Sequence, residues 1–274
     1  MTSITTKDGL QLRVRLDDPV TPARARVVMV HGLGDQVDGL PYATAASALV
    51  ARGLSVRRLE LRGHGQSGGP RVHADGWADL RDDLGRLVQA VASERPALPL
   101  FLVGMSMGGL LVTNYASHEP AGLHGVVAAA PALGETGGSA IKRALLPVLA
   151  RVVPRLPIDP KLDLSRMTRD PDLQREYLAD PLYQTRMTPR LAVAMLGAID
   201  DTRQRAAGFS VPLLLLHGTA DTITAPASSV EFCERAGVPD KTYRPYEGAY
   251  HNLFIETNRE QVFDDIATWI AAHT

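Results

Sequence analysis

A serine between two glycines, at the end of an apolar run, limits what this chain can fold into. The stretch FLVGMSMGGL runs from Phe101 to Leu110, and a helical pattern, GGLLVTNYASHEP, follows it. Ser106 lies between Gly104 and Gly108 in the G-x-S-x-G pattern, in which a strand turns sharply into a helix. The flanking residues must be glycine there, because a Cβ would collide with the helix or with neighbouring strands. The pattern predicts a strained turn that presents the Ser106 hydroxyl, and the alternative is a serine that only caps the helix.

Strand-like runs alternate with helical patterns on both sides of this turn. The runs RARVVMVHG, LSVRRLELRG, LPLFLVG and GLHGVVAAAP are each followed by a loop or a helical pattern, and PLLLLHG and KTYRPYEG come later in the chain. This alternation predicts an α/β fold with a mostly parallel central sheet and helices on both of its faces. The first residues alternate polar and apolar side chains around Asp8-Gly9, which predicts a hairpin.

The alternation stops between residues 131 and 209. This segment contains helical stretches, many prolines and Asp-Pro pairs at Asp159, Asp170 and Asp180, but no strand-like run. We therefore predict one core made of residues 1–130 and 210–274, with residues 131–209 inserted as a helical cap. We call residues 131–209 the cap segment.

Composition excludes several classes of protein. The formal net charge is −1 and no long basic run is present, so a nucleic-acid partner is not expected. The single cysteine, Cys233, excludes an intrachain disulfide and a Cys-only metal site, and it suits a reducing cytoplasm. The apolar runs are far shorter than the ~20 residues of a membrane-spanning helix, and no signal peptide is recognisable. We expect a soluble, cytoplasmic protein.

A serine hydroxyl needs a base and an acid before it becomes a useful nucleophile at neutral pH. Asp221 follows the buried run LLLLHG, and His251 lies in YEGAYHNLF before the last helical pattern. The order Ser106, Asp221, His251 is the chain order expected of a nucleophile on a strand-to-helix turn of this kind. Taken alone, Asp221 is equally consistent with a turn aspartate. Among the remaining histidines, three that precede glycines are expected to organise loops around the site: His31, His64 and His217.

Acyl transfer also needs two donors for the oxyanion of the tetrahedral intermediate. The backbone N–H of Met107, at the start of the helix after Ser106, is one candidate, and that of Leu33, in the loop HGLGDQ, is the other. The spacing of Gly32 and Gly34 would require a glycine at position 37 for a dinucleotide fingerprint, and Val37 stands there. Since no Walker-type lysine and no metal-ligand motif are present either, we expect no cofactor and no metal.

Five motifs together resemble the α/β-hydrolase superfamily, and within it the branch of monoacylglycerol lipases, lysophospholipases and serine aminopeptidase-type hydrolases. They are VHGLGDQ, LRGHGQSGG, GMSMGGL, LLLHGTAD and YEGAYHNLF, spread from about residue 25 to residue 270. The resemblance implies Ser106 as nucleophile, Asp221 as acid, His251 as base and the Leu33 and Met107 amides as oxyanion hole. It also implies a helical cap and a carboxylic ester of a single-chain lipid as substrate, cleaved through an acyl-enzyme.

The cap segment leaves the substrate open. Small carboxylic esters and N-terminal amino-acid amides are the alternatives, and Glu135 or Asp201 could bind the free amine of the latter. A ligand-binding protein without catalytic activity is the alternative from another class.

One predicted helix of the cap segment also allows two interpretations. In SAIKRALLPVLARVVPRLP, one helical stripe contains Ile141, Leu145, Leu149 and Val152, with Lys142, Arg143, Arg151 and Arg155 beside it. The stripe either packs on the core, which we favour, or forms a lid that makes transient contact with a membrane or micelle. The oligomeric state is not predicted.

Overall fold

The computed structural model describes residues 2–134 and 140–274, with the side chains of residues 140–144 outside that description. Within this part of the chain, eight strands form one sheet in the order β1-β2-β4-β3-β5-β6-β7-β8. The strands are β1 Ser3–Thr5, β2 Gln11–Asp17, β3 Ala25–Val30, β4 Leu54–Leu59, β5 Leu100–Met105, β6 Gly125–Ala129, β7 Leu213–Gly218 and β8 Lys241–Tyr246. β1 pairs antiparallel with β2 and β2 pairs antiparallel with β4, whereas the described pairs β4-β3, β3-β5, β5-β6, β6-β7 and β7-β8 are parallel. The prediction of a mostly parallel sheet is confirmed.

Helices cover both faces of the sheet. They are α1 Leu40–Ala51, α2 Trp77–Glu94, α3 Met107–His118, α4 Ala140–Val152, α5 Pro171–Leu178, α6 Pro189–Gln204, α7 Pro226–Arg235 and α8 Arg259–Ala272. Helices α1 and α8 share one apolar core with Val27 and Met29 of β3. Helices α2 and α3 share the other core with Val28 and Val30 of the same strand. Alternate side chains of a strand point to opposite faces, so β3 is apolar except at Arg26 because both of its faces are buried.

The N-terminal strands form the predicted hairpin. Ser3 to Thr5 pair with Gln11 to Arg13, and Gly9 occupies the turn with a φ of 85°, a value that glycine tolerates best. The hairpin lengthens the sheet at the edge next to β4, away from the site described below.

Helices dominate the chain between β6 and β7. This segment contains α4, α5, α6 and two short 3₁₀ turns, and its described residues form no strand, only an isolated bridge between Ile158 and Met187. Helix α6 contacts α3 through Asn114, whose amide donates to Asp201 at 2.8 Å and to the Thr202 hydroxyl at 3.0 Å. These contacts fit a helical cap on a sheet core, and the division of the chain at residues 131 and 209 stays a prediction.

The apolar stripe of α4 does not pack on the core, and the interpretation that we favoured is wrong for its described side chains. Leu145, Leu149 and Val152 are 54%, 38% and 71% exposed, and Val148 on the same helix is 57% exposed. Ala150 is buried and Leu146 is half-buried, so α4 rests on the molecule by these residues and turns most of its larger apolar side chains outward. The side chains of Ile141, Lys142 and Arg143 lie outside the described residues.

Candidate active site

Ser106 occupies a strained turn between β5 and α3. Its φ is 56° and its ψ is −119°, a backbone conformation that L-residues rarely adopt. The Ser106 N–H donates to the carbonyl of Ala129 at 3.0 Å, and the Ser106 carbonyl accepts from Leu110 and Ala132. These hydrogen bonds hold the strained backbone of the turn in place. The side chain is only half-buried, at the edge of the sheet where the parallel strands end.

The two flanking glycines have no room for a side chain. A Cβ on Gly104 would lie 2.3 Å from the Gly108 carbonyl oxygen, and a Cβ on Gly108 would lie 2.4 Å from the Val30 carbonyl oxygen. Both obstacles are backbone atoms of packed elements, which cannot move away cheaply. The structure thus supplies the collision that the sequence pattern implied.

Asp221 and His251 lie in contact. Asp221 follows β7 and His251 follows β8, and Nδ1 of His251 is 2.8 Å from Oδ2 of Asp221. Both side chains are buried, His251 being 2% exposed. Burial alone would raise the pKa of Asp221, but the adjacent His251 and the hydrogen bonds from His217 and His251 outweigh it and lower that pKa far below its usual range. Asp221 is therefore an anion that accepts a hydrogen bond from the Nδ1–H of His251. Nε2 of His251 is left for another partner.

The last residue of β6 and the residue after it connect this pair to the serine turn. The Ser106 N–H is held by Ala129, and the hydroxyl of Thr224 lies 3.1 Å from the carbonyl oxygen of the next residue, Ala130. The same Thr224 hydroxyl lies 2.8 Å from Oδ2 of Asp221. Ser106 and the Asp221–His251 pair are therefore brought to the same edge of the sheet. A direct bond between the Ser106 hydroxyl and the His251 imidazole is not among the hydrogen bonds of the described residues; such bonds often tighten only when substrate binds.

The loop after β3 passes beside Ser106. A Cβ on Gly32 would come within 3.4 Å of the Ser106 Cβ. The Gly32 N–H donates to the hydroxyl of Tyr42 at 2.7 Å, and that hydroxyl donates to Oδ2 of Asp35 at 2.8 Å. The next residue, Leu33, is half-buried, and Met107 is the first residue of α3, where a backbone N–H has no partner within the helix. These positions are consistent with the predicted oxyanion donors, whose roles stay predictions.

Sequence reasoning missed Asp35. Its carboxylate is buried and accepts from the hydroxyls of Tyr42 in α1 and Tyr177 in α5, each at 2.8 Å. Burial, opposed by these two hydrogen bonds, raises its pKa from 3.8 to about 6. The sequence feature that could have identified Asp35 is its position inside the motif HGLGDQ. A carboxylate so close to Leu33, a predicted oxyanion donor, is placed to hold the loop that contains both residues.

His31 and His64 support the loops near the site, as expected. The Leu61 N–H donates to Nε2 of His31 at 3.0 Å, so the ring proton sits on Nδ1 and is donated to the Gly32 carbonyl at 2.8 Å. His64 lies against His31 with ring centroids 5.0 Å apart. Burial lowers the pKa of both imidazoles, that of His64 to about 4, so both are neutral at pH 7.

Of the two acids considered for binding an amine, Asp201 is engaged elsewhere. It accepts from Nε2 of His118 at 2.7 Å and from Asn114 at 2.8 Å, where α6 meets α3. Burial would raise the pKa of Asp201, but hydrogen bonds from His118, Arg205 and Asn114 lower it to about 2. Its carboxylate therefore holds the cap segment on the core. Glu135 lies outside the described residues.

A pocket of about 250 Å³ opens between Leu33 and the cap segment. Its lining is mixed, with apolar side chains and a few polar ones: Leu33, Asp159, Pro160, Lys161, Leu162, Leu164, Tyr183, Gln184 and Thr185. Across the described ranges, no cluster of three or more His, Cys, Asp or Glu side chains could hold a metal ion. Within the same ranges, no helix is both long and apolar enough to cross a membrane.

Comparison with known proteins places the chain in a family. A model of the family described as serine aminopeptidase S33 matches residues 21–258. The monoacylglycerol lipase of Mycolicibacterium smegmatis is 34% identical over 97% of this chain and 94% of the relative. A putative monoglyceride lipase of Schizosaccharomyces pombe is 35% identical over 100% of this chain and 72% of its own length.

Solved structures agree with this placement. The crystal structure of the Paleococcus ferrophilus monoacylglycerol lipase has a TM-score of 0.87 and 32% identity, covering 96% of this chain and 99% of its own. The resemblance predicted from the five motifs is thereby confirmed. The chain belongs to the serine aminopeptidase S33 family of hydrolases and has the α/β-hydrolase fold.

Proposed function

We propose that this enzyme is a serine hydrolase that cleaves the carboxylic ester of a monoacylglycerol or a similar single-chain lipid. In this proposal Ser106 is the nucleophile, His251 the general base and Asp221 the carboxylate that orients it. The N–H groups of Leu33 and Met107 bind the oxyanion. The observation that carries the proposal is the 2.8 Å contact between Asp221 and His251, tied to the end of β6 that also holds the Ser106 turn.

The proposed reaction has two halves. The Ser106 hydroxyl attacks the ester carbonyl while Nε2 of His251 takes its proton, and the imidazolium is stabilised by Asp221. The tetrahedral oxyanion collapses, the C–O bond to the alcohol breaks, and His251 gives the proton to the departing oxygen. Water then attacks the acyl-enzyme, its proton passes to His251 and on to Ser106, and the fatty acid leaves. Each oxyanion donor contributes on the order of 3 kcal/mol to such a transition state.

The single-chain lipid substrate is supported by the relatives and by the surface of the cap segment. The relatives from M. smegmatis and S. pombe carry the names monoacylglycerol lipase and putative monoglyceride lipase. The pocket beside Leu33 presents Leu162, Leu164 and Tyr183, which suit an apolar substrate. We also propose that the exposed apolar side chains of α4 contact lipid surfaces transiently. A cytoplasmic location suits a chain whose single thiol needs no oxidising compartment.

The test compares purified wild type with Ser106→Ala on a chain-length series of monoacylglycerols and p-nitrophenyl esters. We expect the variant to lose activity by ~10⁴-fold or more, because the covalent route disappears. Ser93→Ala, on an exposed position of α2, is the matched control and should retain wild-type turnover. Unchanged turnover by Ser106→Ala would contradict the mechanism.

The same series decides between substrate classes. Activity that rises with acyl length supports the lipid ester, activity on short esters alone supports a small-ester esterase, and turnover of amino-acid amides supports an aminopeptidase-type hydrolase. A fluorophosphonate probe labels Ser106 in each of these enzymes. Failure to label the wild-type protein would favour a ligand-binding protein without catalytic activity.

A further inference from the structure

A second histidine lies on the carboxylate of Asp221. His217 is the penultimate residue of β7 and is completely buried. Its Nε2 is 3.1 Å from Oδ2 of Asp221 and 3.2 Å from the carbonyl oxygen of Thr224. Its Nδ1 is 2.8 Å from the hydroxyl oxygen of Ser229, which is buried on α7. The proposed chemistry uses only His251, so the role of His217 has to come from these contacts.

The contacts determine which ring nitrogen of His217 carries a proton. Two neighbours of Nε2, a carboxylate and a backbone carbonyl, only accept hydrogen bonds. The third, the Thr224 hydroxyl at 3.3 Å, lies closer to two acceptors, Oδ2 of Asp221 at 2.8 Å and the Ala130 carbonyl at 3.1 Å. A lone pair on Nε2 would face two oxygen atoms without a proton between them, so Nε2 must be protonated. The Ser229 hydroxyl can then donate to Nδ1. In its neutral form the ring therefore donates from Nε2 and accepts at Nδ1.

His217 and His251 approach the same carboxylate oxygen. Oδ2 of Asp221 accepts from Nδ1 of His251 at 2.8 Å and lies 2.8 Å from the Thr224 hydroxyl, in addition to His217. The other oxygen, Oδ1, accepts from the N–H groups of Ile223 at 2.7 Å and Thr224 at 3.1 Å. Each donor disperses part of the negative charge, so the carboxylate stabilises an imidazolium on His251 less than it would if His251 were its only partner.

We infer that His217 is a positioning residue that holds Asp221 in place and lowers the basicity of His251 by donating to the oxygen that both imidazoles share. The inference rests on the proposed function only where it treats His251 as the base. An imidazole that is less basic stays unprotonated, and so able to accept the serine proton, at a lower pH.

Other charged groups near His251 belong to three separate segments. Asp35 lies on the loop after β3 and acts on His251 through its charge. Arg166, in the cap segment, accepts from the backbone N–H of His251 at 3.2 Å through its carbonyl, and its guanidinium lies 3.9 Å above the ring of Tyr250. Glu256 accepts from the N–H of Tyr250 at 2.9 Å and pairs with Arg169 at 3.0 Å. None of these groups contacts His217 among the hydrogen bonds of the described residues, so we expect their effect on His251 to cancel in a comparison of variants at residue 217.

The test uses two variants of similar size. In His217→Gln the amide nitrogen can replace Nε2 as a donor, whereas His217→Met fills the space without a donor. Titration by ¹⁵N-histidine NMR follows His251 directly, with its signal assigned by its loss in His251→Gln. We expect the His251 midpoint to rise by about 0.5 to 1 pH unit in His217→Met and to stay near wild type in His217→Gln. The acidic limb of kcat/KM should move by the same amount, with kcat lowered ~10-fold and KM within ~2-fold.

Two outcomes would overturn the inference. One is a His251 midpoint in His217→Met equal to that of wild type, and the other is a shift in His217→Gln as large as that in His217→Met. Ser229→Ala is the control that retains the Nε2 donor, and its midpoint should match wild type. If His217→Met fails to fold, the wild-type spectrum still decides, because a proton on Nδ1 and none on Nε2 of His217 contradicts the argument. Hydrolysis by Ser106→Ala would defeat the proposed function alone, since the NMR midpoints need no substrate.

Discussion

The hydroxyl of Tyr177, on helix α5 of the cap segment, lies 2.8 Å from Oδ1 of Asp35, whose other oxygen accepts from Tyr42. Tyr42 in turn accepts from the Gly32 N–H, next to the proposed oxyanion donor Leu33. One buried carboxylate therefore links the cap segment to the loop that would stabilise the transition state.

Removal of the Tyr177 hydroxyl tests this link. Tyr177→Phe leaves Oδ1 of Asp35 without its buried donor, which should lower the free energy of unfolding by about 1 to 2 kcal/mol. A looser oxyanion loop should also lower kcat/KM several-fold. Urea unfolding and ester hydrolysis measure the two effects. Tyr243→Phe, at a half-buried position of β8, is the control and should change neither quantity. An unfolding free energy of Tyr177→Phe equal to that of wild type would argue against the link.

Asp35 should make stability depend on pH. Burial raises its pKa from 3.8 to about 6, so between these values the folded chain binds a proton that the unfolded chain has released. Its contribution to stability is therefore greatest below pH ~4, falls as the pH rises to ~6 and is level above that, a total change of about 3 kcal/mol. Asp35→Asn removes the titration. Between pH 4.5 and pH 7 the wild type loses the contribution of Asp35, whereas the variant does not. The unfolding free energy at pH 7 minus that at pH 4.5 should therefore be larger in Asp35→Asn than in wild type. Equal values of this difference in the two proteins would refute the assignment.

Two glycines should respond to alanine in opposite directions. Gly108→Ala would place a Cβ 2.4 Å from the Val30 carbonyl oxygen and should cost more than about 2 kcal/mol of stability and most of the esterase activity. Gly197→Ala lies on an exposed position of α6 with no atom within 4 Å of the new Cβ, so it should stabilise the protein by about 0.5 to 1 kcal/mol. Thermal unfolding and ester hydrolysis measure both. A neutral Gly108→Ala would mean that the turn has more room than its contacts indicate.

The outward face of α4 should matter for lipid surfaces. Replacing Leu145, Leu149 and Val152 together with serine removes apolar area that is already exposed, so the fold should retain its stability. Binding to phosphatidylcholine vesicles, measured by co-sedimentation, should fall ~10-fold, as should the ratio of activity on micellar substrate to activity on dissolved substrate. A triple replacement with serine at the exposed positions Arg151, Arg155 and Asp163 separates loss of apolar area from loss of charge. Equal vesicle binding by wild type and the apolar triple variant would exclude this surface.

Local patterns carried most of what could be predicted. The turn at Ser106 could be predicted from five consecutive residues, because the strand, the glycines and the helix are neighbours along the chain. The approach of Asp221 and His251 could be expected because both follow parallel strands, which end at one edge of the sheet. Their roles and that of Ser106 stay predictions until the variants are measured.

Contacts between distant segments could not be read from the sequence. Asp35 and Tyr177 are 142 residues apart, and their pairing depends on how the cap segment lies over the sheet. Helical periodicity identified the stripe on α4 but not the direction in which it faces. Likewise, the sequence placed His217 near the site without indicating that it shares an oxygen of Asp221 with His251.

Two successive backbone carbonyls where β6 ends contact both the serine turn and the residues that surround Asp221. Ala129 accepts from the Ser106 N–H, and the Ala130 carbonyl lies 3.1 Å from the Thr224 hydroxyl, which is also 2.8 Å from Asp221. We therefore expect thermal displacement of this strand end to move the nucleophile and the acid–base pair in the same direction, so that their separation varies less than the position of either. The relative position of Ser106 and the Asp221–His251 pair thus depends on one common attachment point. It does not require every surrounding loop to be rigid.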